Sequence, residues 1–273
     1  MKPIATLAAV VLAAGCSAAA LSPKMLGLIV ADARMVTGAD LNRQGDSILN
    51  QFFQSQVVPD TDTRASYQAL WIERNGADGP ITLTVVAGPV PPNAPNFPEE
   101  FTALDSYIMV AGPPDSVRDA QRSWTVEQPL SPIAAKVRRL AESYDNWFLM
   151  TKPFARLSQI PQAVLGSAVP LLKDKQDLVD AVQELSGGVR FGAVNELNLE
   201  AVFRNPEDAW AVAILARWVP GILQLQPPYS PTGMLVNAME DFTVHFAGQR
   251  VSISLRIPEE KARSLIEAQR LVE

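Results

Sequence analysis

The chain has 273 residues, enough for one large domain or two of ordinary size. Its net charge is −6 and its longest basic run is Arg138-Arg139. That excludes the concentrated cationic face that nucleic-acid recognition needs, and electrostatic docking on anionic lipid with it. A single cysteine and a single histidine rule out a disulfide framework and argue against a transition-metal centre, so no cofactor or metal ligand is assigned.

The first 20 residues form a unit of their own. Lys2 supplies a small positive region, and residues 4–14 are an unbroken run of apolar or small side chains. Eleven residues are too few for a membrane span, which takes about 20, but suit a secretory leader followed by a small-residue cleavage site. Leu12-Ala13-Ala14-Gly15-Cys16-Ser17 resembles a bacterial lipoprotein signal, with Ala13 where a Leu is usual. The resemblance implies that Cys16 becomes the lipidated first residue of the mature chain, anchored to a membrane through that lipid. Ser17 is similar to the residue that follows the cysteine in lipoproteins sent to the periplasmic face of an outer membrane. The competing reading is ordinary cleavage after Ala18-Ala19-Ala20, which gives a secreted or periplasmic protein. Both leave the mature chain without a free thiol.

Downstream, residues 33–41 read as a first strand and 42–55 as a helix with Ile48, Leu49, Phe52 and Phe53 on one face. Residues 67–74 and 81–87 form a hairpin around the turn formers 75–80, with Ile81, Leu83 and Val85 alternating with Thr82 and Thr84. Residues 88–98 carry five prolines and cannot be regular structure. A strand at 107–111 leads through Pro113-Pro114-Asp115 into a short helix. Ser131-Pro132 then starts a longer one, with Ser as N-cap and Ile133, Val137, Leu140 and Tyr144 inward.

The second part opens with a strand at 147–151. A helix is expected over 173–185, closed by a glycine cap at Ser186-Gly187-Gly188. A hairpin follows, 189–194 with 197–204, turning at Asn195-Glu196. Pro206 launches a helix through Trp218 that is apolar nearly all round and therefore expected to be central and buried. The last hairpin is 242–246 with 251–257, and Pro258-Glu259-Glu260 starts the terminal helix.

A strand followed by proline, acidic residues and a helix recurs at 114–115, 206–208 and 258–260. The missing N–H of proline costs nothing in a first helical turn, and carboxylates suit the helix dipole there. The expected fold is α+β, antiparallel hairpins with helices packed on one sheet face. The order of elements suggests two diverged halves, 21–130 and 131–273. The stretch 31–41 is similar to a group of uncharacterised exported bacterial proteins, which implies an envelope protein and contributes no catalytic residues.

Chemistry is sparse. Gly45-Asp46-Ser47-Ile48 resembles the nucleophile block of GDSL-type esterases, which would make Ser47 the nucleophile and His245, the one imidazole, its base. The block does not follow a buried strand, and Asp241 stands one residue too far from His245 for the family's late Asp-x-x-His. Alternation sets His245 on the strand face of Thr243, and of Ser252 and Ser254 across the turn. Asp60-Thr61-Asp62 reads as a polar turn, and Asp177, Asp180 and Glu184 as the wet side of a helix. The proline-rich segment 88–98 and the apolar loop 220–231 are candidate surfaces for an envelope protein partner. The leading expectation is a non-enzymatic binding or scaffold module of the cell envelope. The alternatives are a Ser47–His245 hydrolase and a carrier of an apolar ligand between the halves.

Overall fold

The computed structural model describes residues 21–40, 47, 68–76, 79–88, 101–126, 129–151, 176–224 and 236–270. The leader with Cys16, the helix expected over 42–55 apart from Ser47, the Asp60–Asp62 turn and most of both proline-rich segments lie outside these residues.

The chain builds one antiparallel sheet of ten strands. In the first half these are β1 (Met35–Asp40), β2 (Gln68–Gly76), β3 (Gly79–Ala87), β4 (Thr102–Ala103) and β5 (Ile108–Ala111). In the second they are β6 (Asn146–Met150), β7 (Val182–Arg190), β8 (Val194–Phe203), β9 (Asp241–Ala247) and β10 (Arg250–Pro258). The sheet runs β4-β5-β3-β2-β1-β6-β7-β8-β10-β9. Counted outward from the β1–β6 seam, each half places its first, second, third, fifth and fourth strand in the same succession. The halves are therefore alike in strand order, and the seam joins them as a regular antiparallel ladder from Met35↔Met150 to Ala39↔Asn146.

The sheet is accompanied by helices α1 (Pro23–Gly27), α2 (Pro114–Trp124), α3 (Pro132–Ser143), α4 (Gln176–Asp180), α5 (Pro206–Leu223) and α6 (Glu259–Arg270). Their starts follow the expected chemistry. Ser131 Oγ accepts the Ala134 N–H at 3.1 Å, and Asn205 Oδ1 accepts that of Asp208 at 2.8 Å, each ahead of a proline at the first helical position. At the third site Pro258 instead closes β10 opposite Val194, and the helix begins at Glu259.

Because directly opposed residues share a sheet face, the registers fix what each helix covers. Val36, Leu70, Ile72, Val85, Val110, Trp147 and Leu149 share one face and pack under α1, α2 and α3 through Met25, Leu26, Ala120, Ala134, Val137 and Ala141. In the second half, Val251, Ile253, Leu255 and Ile257 point to the other face. There Val251 and Ile253 pack with Ala209 and Ala213 of α5, and Leu255 and Ile257 with Ala262 and Ile266 of α6. Helices α1, α2 and α3 thus cover the first face from β5 to β6, and α5 and α6 cover the other face over β8, β10 and β9. Among the described residues, no helix covers the first face over β8, β10 and β9.

Three expectations are corrected. Residues 182–190 are a strand, so Ser186-Gly187-Gly188 lies inside β7 and not at a helix end. Glycine is needed because a Cβ on Gly188 would lie 2.4 Å from Tyr144 Cγ, and one on Gly187 2.3 Å from the Asn198 carbonyl oxygen. The β7–β8 hairpin turns at residues 191–193, so Asn195 and Glu196 belong to β8. Helix α5 runs on through Pro220 to Leu223, with its inner side lined by small Ala209, Ala213 and Ala216, while Trp210 and Trp218 stand 58% and 67% exposed on its outer side.

Candidate cleft on the bare sheet face

One row of opposed residues crosses the sheet from β3 to β9. Leu83, Ile72, Val36 and Leu149 are buried beneath the helices, and the row continues through Ser186, Glu200 and Ser252 to His245. The change from apolar to polar side chains coincides with the end of helical cover. A parallel row goes from Trp147 through Gly188 and Asn198 to Ser254 and Thr243.

Where α3 ends, these rows form the floor of a cleft of about 260 Å³. Ser186, Asn198, Glu200, Ser252, Ser254 and His245 line the floor, and Leu140 and Tyr144 form the wall. The wall is placed by the glycine below it, since Tyr144 occupies the space a side chain at Gly188 would fill. Burial pushes the Tyr144 phenol above its ordinary pKa; the Arg190 guanidinium opposes that rise, and Glu200 and Glu196 reinforce it. The phenol is therefore a neutral hydrogen-bonding group at physiological pH. Arg190 is itself held by the Ser143 carbonyl, at 2.8 Å from Nη2 and 3.2 Å from Nε.

The two carboxylates beside the cleft have arginine partners. Arg250 Nη1 donates to Glu200 Oε1 at 2.8 Å, and Arg256 Nε lies 3.7 Å from Glu196 Oε1. Between these pairs the floor offers hydroxyls, one amide and one imidazole. Such a set can hydrogen-bond a small polar molecule without demanding that it carry charge.

The sequence-based site residues separate. His245 is exposed on the first face, across from Ser252, as strand alternation predicts. Ser47 is buried, and its Oγ lies 2.9 Å from Glu259 Oε2 and 3.2 Å from Asn195 Oδ1. Asn195 pairs with Ile257 in register, which sets it on the opposite face. The sheet thus stands between Ser47 and His245, and no serine–histidine dyad is formed. Ser47, Asn195 and Glu259 instead make a polar cluster: the Asn195 Nδ2 donates to Glu259 Oε2 at 2.8 Å and to the Ile257 carbonyl at 3.3 Å. Fully buried Asn195 is satisfied this way. Of the acidic trio expected on one helix face, Glu184 lies in β7 and ion-pairs with Lys136 of α3.

Sequence reasoning named His245, Ser252 and Ser254 but missed Ser186, Asn198, Glu200 and Tyr144. The alternation of Asn198 and Glu200 with Leu197 and Leu199 was the signal available for two of them.

No protein-family description and no curated protein matches the chain. Among solved structures it is similar to TP0453 in crystal form I, with a TM-score of 0.49 and 12% identity over 92% of this chain and 98% of that one. Crystal form III of TP0453 gives the same TM-score and identity over 91% and 98%. At these values the likeness carries no argument about function.

Proposed function

We propose that this chain is an exported, lipid-anchored cell-envelope protein that works as a non-enzymatic binding module, with its ligand site in the Tyr144–His245 cleft. The observation that carries the reading is the coincidence of bare sheet, convergent neutral polar groups and a glycine-seated aromatic wall in one concavity. The ligand it suits is small, polar and without net charge, because Glu200 and Glu196 already have arginine partners. The leader supports the anchor: Cys16 follows an apolar run too short to span a bilayer. No observation favours the hydrolase, and the seam between the halves, where Trp147 lies over Gly38, gives none for an apolar-ligand carrier.

The test is a native mass spectrum of the protein extracted from its own cells in mild detergent. The expected result is a chain beginning at Cys16 with added acyl mass, together with a small bound species that is absent from the Asn198→Ala variant. A chain beginning at Leu21 without added mass contradicts the anchor. Identical spectra for the two proteins contradict the site.

A further inference from the structure

The two edges of the sheet differ. One is closed off by β4, a strand of two residues, which leaves little to pair with. The other is β9, seven residues long and paired without a bulge to β10 over its whole length. Its outward N–H and C=O groups make no hydrogen bond among the described residues. Asp-Phe-Thr-Val-His-Phe-Ala contains no lysine, no proline and no bulge, and its one acidic residue, Asp241, stands at the end of the strand. Phe246 is 37% exposed, and His245 and Ala247 are exposed beside it.

We infer that β9 pairs with β9 of a second copy of this chain, antiparallel and centred on Val244, extending both sheets across a two-fold axis. The occupant is identified by the sequence of the edge itself, which is complementary to its own reverse. With Val244 facing its counterpart, Phe242 meets the partner's Phe246, and Thr243 meets the partner's His245. Asp241 meets the partner's Ala247, with the partner's His245 in the diagonal position. From Phe242 to Phe246 every opposed pair is then apolar against apolar or polar against polar, and no like charges face each other. An isologous contact of this kind closes on itself and uses up both open edges. A two-fold axis normal to an antiparallel pair keeps each face continuous, so the two clefts open on the same side of the assembly. The two copies of α5, which packs on β9 and β10, lie together on the other.

The experiment uses the full chain with Cys16→Ser, so that an introduced thiol is the only one. Native mass spectrometry over a concentration series should show a dimer, and Phe246→Lys, at an exposed position, should shift it to monomer. Val244→Cys should form a disulfide-linked dimer on oxidation, since opposed strand residues fall within disulfide reach. Thr243→Cys, which faces the partner's His245 and not itself, should cross-link far less. A wild-type chain that stays monomeric at every concentration overturns the inference, even if it takes up an extended peptide instead. So does a dimer in which Phe246→Lys has no effect, or in which the two cysteine variants cross-link equally.

Discussion

Tyr144 lies directly over Gly188, so closely that a methyl group on the glycine would stand 2.4 Å from the ring's Cγ and 2.6 Å from its Cβ. This contact links the end of α3 to the floor of the cleft. Replacing Gly188 by Ala must push the tyrosine out or bend β7, a form of overpacking that costs about 1–3 kcal/mol. Chemical denaturation should show that loss. The double variant Gly188→Ala with Tyr144→Ala should recover part of it, because the clash is then gone.

The same tyrosine makes a statement about pH. Its folded pKa is raised, chiefly by burial, so both folded and unfolded chains hold the proton below pH of about 10. As pH rises through that value the unfolded chain ionises first, and stability falls until the folded phenol also ionises. Of the four tyrosines, Tyr144 should titrate late in an ultraviolet phenolate titration of the native protein. Tyr144→Phe should remove that late component and flatten the alkaline decline in stability.

Ser47 belongs to a buried hydrogen-bonded cluster with Asn195 and Glu259. Ser47→Ala removes the hydroxyl proton shared between Glu259 Oε2 and Asn195 Oδ1 and should cost about 1–3 kcal/mol. Asn195→Ala should cost at least as much, and the pair should be non-additive by roughly 0.5–3 kcal/mol, as residues of one network are. Ester hydrolysis, if any is detected in a preparation, should be unaffected by either change once the loss of folded protein is allowed for. A selective loss of turnover in Ser47→Ala, at unchanged stability, would revive the hydrolase.

Much of the fold was legible because short-range rules decided it. The capped starts at Ser131 and Asn205, the β2–β3 and β9–β10 hairpins and the antiparallel α+β class all follow from local residue chemistry and alternation. The errors arose where a distant contact overrode local preference. Gly187-Gly188 looks like a helix cap in isolation, and only the approach of Tyr144 and of the Asn198 backbone explains glycine inside a strand. Trp210, Val212, Ile214 and Leu215 make α5 look buried all round, yet its inner side is filled by alanines that no periodicity count singles out. The cleft was half visible for the same reason. His245, Ser252 and Ser254 lie on one hairpin, whereas Tyr144 and Ser186 reach the site through long-range pairing.

The helix caps give a graded check on the packing at the first face. Asn205→Ala should cost about 0.5–2 kcal/mol, the usual worth of a capping side chain. Ser131→Ala should cost more, because Ser131 Oγ also donates to the Ile29 carbonyl at 3.1 Å and so ties α3 to the segment after α1. Thermal or denaturant unfolding of the two variants side by side orders them.

The most direct test of the binding site uses the fact that His245 is the only histidine in the chain. Its imidazole proton resonances can be followed without assignment while a small-molecule extract of the cell envelope is titrated in. The account predicts a saturable shift of those resonances that is lost in Asn198→Ala and kept in Ser47→Ala. Resonances that stay put while another part of the molecule responds would place the ligand elsewhere and contradict the assignment of the Tyr144–His245 cleft.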